Sequence, residues 1–148
     1  MGDRTPAVRA LQEIALRVQD LGGMRKFYEE TVGLEVMNQS PECVFFRIAD
    51  GYAGHTQVLA LFDRSGTPGY SGVSSERSTV DHIAFAVALE DFCSEKQRLE
   101  HLGMRVETAE HGWVHWRSLY LKDPEGNEVE FVCYDPSVGG LNRWSERT

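Results

Sequence analysis

Cysteine is scarce in this chain: Cys43, Cys93 and Cys133 are spread over 148 residues with no close pair. An odd number so spaced supports neither a disulfide framework nor a thiolate zinc knuckle, and free cysteine ordinarily packs as a small buried apolar residue. Long apolar runs are missing as well. Stretches such as Ile83 to Leu89 fall far short of the roughly 20 residues that a bilayer-spanning helix needs, and the opening Met-Gly-Asp-Arg-Thr-Pro has no apolar signal region. A cytoplasmic protein with no membrane partner is expected. Basic clusters are absent: 15 Lys and Arg stand against 23 Asp and Glu, with a net charge of −8 and a pI near 5.1. Nothing offers a footprint for a phosphate backbone, so nucleic acid is not an expected partner. Proline, at 5 residues, is also sparse, while 41% apolar and 26% charged residues are ordinary for a globular protein. Disorder, collagen-like repeats and coiled coil are excluded. One domain of this length can bury roughly 70% of its extended surface.

What is present is a motif written twice. Gln12 to Val18 returns as Asp81 to Val87, Gly33-Leu34-Glu35-Val36 as Gly103-Met104-Arg105-Val106, Phe46-Arg47 as Trp116-Arg117, and Gln57 to Phe62 as Asn127 to Val132. Four matches in order at nearly constant offset point to two related halves. A period-2 strand at 12–18 precedes Asp20, a helix cap, and Met24, Phe27, Tyr28 and Thr31 at helical spacing, with Gly33 as the stop. Strands are expected at about 34–38, 43–49 and 56–62. The second half repeats the order, with a strand at 81–87, a helix at about 90–102 closed by Gly103, and strands near 104–108, 115–121 and 127–133. Each module reads βαβββ. The expected fold is α+β, with modules at about 10–62 and 79–134, a connection at 63–78 rich in Gly, Ser and Pro, and a polar tail at 135–148 whose obvious anchor is Trp144.

Strand parity then sorts the side chains. Ile14, Leu16 and Val18 form one core face and Ile83, Phe85 and Val87 the other, leaving Glu13, Ala15 and Arg17, and His82, Ala84 and Ala86, on the opposite faces. Val129, Phe131 and Cys133 are the core set of the last strand, with Glu128, Glu130 and Val132 opposite; the first-half counterparts of these three are Val58, Ala60 and Phe62. If two such sheets curve about a central cleft, the four equivalent positions are Glu13, Ala60, His82 and Glu130. Three carry metal-ligating side chains; Ala60 does not.

Two βαβββ modules, the run Asp81-His82-Ile83-Ala84-Phe85-Ala86-Val87 and the segment from Arg117 through Leu119-Tyr120, Asp123-Pro124-Glu125-Gly126 and Asn127 to Glu130 together resemble the vicinal oxygen chelate superfamily. That superfamily includes glyoxalase I, bleomycin and fosfomycin resistance proteins, methylmalonyl-CoA epimerase and extradiol dioxygenases. The resemblance covers residues 10–134. It implies a mixed sheet around a cleft in which His82 and Glu130 ligate one divalent metal ion, while Glu13 stands where many members have His and some Gln, and Ala60 where lyases and epimerases carry another ligand. Three protein ligands leave adjacent positions open for a substrate with two neighbouring oxygens. The donor set does not discriminate among Fe(II), Mn(II), Ni(II), Mg(II) and Zn(II). A small-molecule substrate and a possible homodimer follow from the same resemblance.

His111 precedes the Leu119-Tyr120 pair by a spacing that resembles the extradiol dioxygenase signature, with Ala109 outside the usual choices at the small position two residues earlier. The resemblance gives His111 and Tyr120 catalytic roles in binding or deprotonating a catechol. Arg17, Ala60, Trp116 and Ser118 are expected to line the substrate pocket. Plainer readings stand beside these: His82 as a sheet histidine bonded to Glu13 or Glu130, Glu13 paired with Arg17, Tyr120 as a core aromatic, His111 as a loop residue with His115 as the pocket histidine. His55 and His101 read as structural. The preferred function is a metal-dependent, extradiol-dioxygenase-like enzyme. A glyoxalase- or epimerase-like lyase or isomerase and a metal-free bleomycin-resistance-type binding protein are the alternatives.

Overall fold

The computed structural model describes residues 7–141, 143 and 144, in two compact units, Met1–Gly72 and Val73–Thr148. In the first, β1 (Glu13–Val18) leads into α1 (Leu21–Lys26), followed by β2 (Glu35–Gln39), β3 (Cys43–Asp50) and β4 (Thr56–Asp63). The sheet order is β1-β4-β3-β2, with β1 parallel to β4 and the other pairs antiparallel. Asp20 caps α1 as its spacing predicts, its carboxylate accepting the Gly23 N–H at 3.0 Å. The helix then widens into a π-helical segment, Phe27–Val32, and stops at Gly33, whose φ of +89° suits glycine. The widening has no counterpart in the sequence reading. Met24, Phe27 and Tyr28 bury themselves against Val44, Phe46, Leu59 and Leu61, each large side chain contributing about 1.5–3 kcal/mol. Beyond β4, residues 64–81 form no strand or helix, and the Tyr70 hydroxyl ties this segment back to the Arg17 carbonyl at 2.9 Å.

The second unit repeats the plan. β5 (His82–Ala86) is followed by a 3₁₀ turn, then α2 (Phe92–His101), β6 (Glu107–His111), β7 (Trp116–Lys122), β8 (Glu128–Tyr134) and the short β9 (Arg143–Trp144). Its order is β5-β8-β7-β6-β9, with β5 parallel to β8. Ile83, Phe85, Val129, Phe131 and Cys133 are buried as parity predicts, and so are Phe92 and Leu99 of α2. Phe85 and Phe131 meet edge to face, with centroids 6.5 Å apart. Asp135 and Val138 are also buried, and the backbone of Trp144 pairs with Ala109; its side chain lies outside the described residues.

Two sequence expectations are corrected. The strand expected at 104–108 lies at Glu107–His111, because its position is set by the hairpin to β7, in which His111 pairs with Trp116. His115 takes a φ of +58° in that turn. The match of Phe46-Arg47 to Trp116-Arg117 is not structural either. Val58 and Glu128 hold equivalent places, beside Glu13 and His82, and the residues opposite them are Arg47 and Lys122. By the same register Phe45, opposite Ala60, is the counterpart of Tyr120, opposite Glu130. Among the described residues no helix is long and apolar enough to cross a membrane.

Candidate functional site

On one face of the second sheet the strand register sets side chains in rows. His82, Glu128 and Lys122 form one row, and Ala84, Glu130, Tyr120 and Glu107 the next. Ala86, Val132, Ser118 and Ala109 form a third. Small residues beside long ones let the long ones converge. The Tyr120 hydroxyl donates to Glu130 Oε1 at 3.1 Å and meets His111 Nε2 at 3.1 Å. Register places His111 two rows from Tyr120, so the two side chains reach each other across Ala109 and Ser118, which are almost wholly covered. That is the physical requirement for small residues at both positions.

Glu130 is buried, with 5% side-chain exposure, and its second oxygen, Oε2, lies 3.2 Å from His82 Nε2. The other imidazole nitrogen, Nδ1, lies 2.6 Å from Asp81 Oδ1. His82 is thus held between two carboxylates. A neutral imidazole has one N–H and serves only one of them; an imidazolium serves both. A divalent cation shared by Nε2 and Glu130 resolves the same arrangement, with Nδ1–H retained by Asp81, the outer-shell contact that metal-ligating histidines generally make. The donor pair therefore fits a divalent metal. Among the described residues no group of three or more His, Cys, Asp and Glu side chains is gathered so as to hold one.

Burial, and then the negative charge of Glu130, push the Tyr120 phenol up to about 12. Ser118 pulls the other way, and the hydrogen bond to Glu130 and then the charge of Glu128 add to the rise. At neutral pH Tyr120 is a neutral donor.

The turn between β7 and β8 explains the Asp-Pro-x-Gly motif. Asp123, 4% exposed, accepts from the N–H groups of Glu125 at 3.0 Å and Asn127 at 2.9 Å, and from Asn127 Nδ2 at 2.7 Å. Gly126 takes a φ of +93°, open to glycine without strain. This closed turn fixes the hairpin register that sets Tyr120 opposite Glu130.

Of the other expected residues, Trp116 stands half-exposed across from Tyr134. His115 is engaged elsewhere, its Nδ1 against the Val138 carbonyl and its ring against Tyr134; the histidine that reaches Tyr120 is His111. In the first unit, Glu13 is exposed at the start of β1, and no ion pair joins it to Arg17 among the described residues. Ala60 is fully buried, opposite Ala15 and Phe45, on a face where the Phe45 and Phe62 rings meet edge to face at 5.7 Å. Arg17 lines a cavity of about 230 Å³ with Phe62 and Arg64.

Sequence reasoning does not single out Asp81, although a carboxylate preceding a strand histidine is a usable signal. Nor does it single out Lys122 and Glu128, which line a cavity of about 440 Å³ with Met104, Arg105, Glu107 and Tyr120.

Residues 10–131 match the family model described as the Glyoxalase/Bleomycin resistance protein/Dioxygenase superfamily. Among solved structures, the chain is similar to the lactoylglutathione lyase from Agrobacterium tumefaciens, with 28% identity over 88% of this chain and 96% of that one and a TM-score of 0.62. A glyoxalase/dioxygenase from Nostoc punctiforme shares 24% identity over 91% and 97% of the two chains, with a TM-score of 0.67. A mutant of the fosfomycin resistance protein FosX from Listeria monocytogenes, complexed with Mn(II) and 1S,2S-dihydroxypropylphosphonic acid, shares 24% over 90% and 93%, with a TM-score of 0.62. The last two likenesses concern the fold alone.

Proposed function

The chain belongs to the Glyoxalase/Bleomycin resistance protein/Dioxygenase superfamily, and from that premise we propose that it is a metal-dependent enzyme of the extradiol-dioxygenase kind, acting on a small substrate with two adjacent oxygens. The observation that carries this reading is the continuous hydrogen-bonded chain from His111 through Tyr120 and Glu130 to His82 and Asp81. His82 and Glu130 are the proposed ligands of one divalent ion, and the family resemblance gives Glu13 the part of the third. The Mn(II) bound by the FosX relative supports a metal in general, without selecting among Fe(II), Mn(II), Ni(II) and Zn(II).

When bound, such an ion supplies adjacent open positions that chelate two oxygens and lower their proton affinity. The protein's own groups do the rest. Asp81 fixes the imidazole of His82 so that Nε2 faces the site. Tyr120, neutral at working pH, orients the Glu130 carboxylate with its one O–H. When the Tyr120 hydroxyl turns from Glu130 to His111, with Nε2 as the unprotonated ring nitrogen, a proton released by a substrate hydroxyl passes to Tyr120 as Tyr120 hands its own to Nε2. Tyr120 and His111 are therefore the proposed catalytic pair, with Trp116 and Ser118 on the same face.

A lyase or isomerase is the second reading, favoured by the 28% identity to a lactoylglutathione lyase. It asks Glu130 to move a proton next to an enediolate with no second acid at Ala60. Elemental analysis of natively purified protein should find metal that is lost in His82→Ala and Glu130→Ala variants with folding retained. Oxygen uptake by Fe(II)-loaded protein with a catechol panel, against turnover of glyoxal-thiol adducts under nitrogen, then separates the two. No uptake with any catechol overturns the dioxygenase reading.

A further inference from the structure

We propose that the substrate carries, beside its two adjacent oxygens, a zwitterionic substituent of the amino-acid type, bound by Lys122 and Glu128. This rests on the vicinal-oxygen reading and names the substrate class. The cavity of about 440 Å³ beside Tyr120 is lined by two cations, Arg105 and Lys122, and two carboxylates, Glu107 and Glu128. Its volume suits a substituent of a small ligand, and its balanced charge favours neither a simple anion over a simple cation nor the reverse.

The four charges are not equivalent. Arg105 and Glu107 are spent on each other at 3.3 Å. Lys122 and Glu128 stand directly opposite on β7 and β8, yet no ion pair joins them among the described residues. An ammonium and a carboxylate held across from one another without meeting present complementary partners to a carboxylate and an ammonium borne on one carbon. Their place in the register also fits. Glu128 lies directly beside His82, and Lys122 is two residues along β7 from Tyr120 on the same face, about 7 Å away. A ring chelated at His82 and Glu130 would present its substituent there.

The test uses the metal-loaded protein without oxygen and calorimetric titration with catechols bearing methyl, propionate, ethylamine or alanine side chains. The alanine-bearing catechol should bind about tenfold tighter than the methyl one, from two partly exposed ion pairs, with the singly charged ligands between. Lys122→Met should reduce the alanine compound to the level of the ethylamine one, and Glu128→Gln to that of the propionate one. Equal affinity for the methyl and alanine catechols overturns the inference and leaves the vicinal-oxygen reading standing. Failure of every catechol to bind overturns both.

Discussion

Replacing Tyr120 with Phe removes one hydroxyl and nothing else of consequence to shape. That hydroxyl bonds Glu130 Oε1 and His111 Nε2, each at 3.1 Å, and Glu130 is 5% exposed on its side chain. A hydrogen bond to a charged acceptor is worth about 1.5–3 kcal/mol, and relief from burying the phenol returns part of it, so Tyr120→Phe should destabilise by about 1–2 kcal/mol at pH 7. For a chain of this size the melting point falls by roughly 2–8 °C. The pH dependence is the sharper test. The phenol, pushed up to about 12 in the folded state, has a reference value near 10 in the unfolded chain. Folding thus favours its protonated form; the associated stability is fully present below pH about 10 and lost as pH rises toward about 12. Discounted for solvent screening, the loss amounts to about 1–2 kcal/mol, so the gap between parent and variant should nearly close over that window. Urea unfolding at several alkaline pH values, with phenolate absorbance followed in parallel, measures both. A gap that stays constant from pH about 7 to 12 would refute the reasoning.

Asp123→Ala leaves three donors of the β7–β8 turn without their acceptor and should cost about 2–4 kcal/mol in urea unfolding. A loss below the precision of the method would show that the turn does not depend on Asp123. Ala109→Leu forces a branched side chain beneath the contact of His111 with Tyr120 and should cost about 1–3 kcal/mol. In the parent, Tyr120→Phe should shift the His111 imidazole resonances. In the Ala109→Leu background the same substitution should leave them unmoved, and an undiminished shift would contradict the spanning geometry.

Much of this arrangement was legible in the sequence because sheet faces follow parity. Alternation placed Ile83 and Phe85 in the core and His82 across from them, and the glycines at 33 and 103 both end helices with positive φ. Burial alternates less cleanly on β8, where Glu130 is buried although it faces away from Val129 and Phe131; the neighbours that cover it come from other strands. Register was harder. Phe46-Arg47 matches Trp116-Arg117 in letters, yet pairing with β4 and β8 aligns Arg47 with Lys122, because hairpin register is set by turns and bulges such as the one between Arg47 and Ala49. Contact of His111 with Tyr120 was legible only as motif spacing, since their rows are not adjacent. Asp81 beside His82 became meaningful only once the imidazole's direction was known.

The counterpart of Glu130 in the first module is Ala60, and that of Tyr120 is Phe45. This has an evolutionary corollary. Ala60 is fully covered on a face where Phe45 and Phe62 touch. Putting Glu there would strand a carboxylate among aromatic rings with no phenol to receive it, at a cost of several kcal/mol. Installing the same chemistry in that half would require Phe45→Tyr and further polar neighbours together, so the difference between the two copies is a barrier that no single substitution crosses.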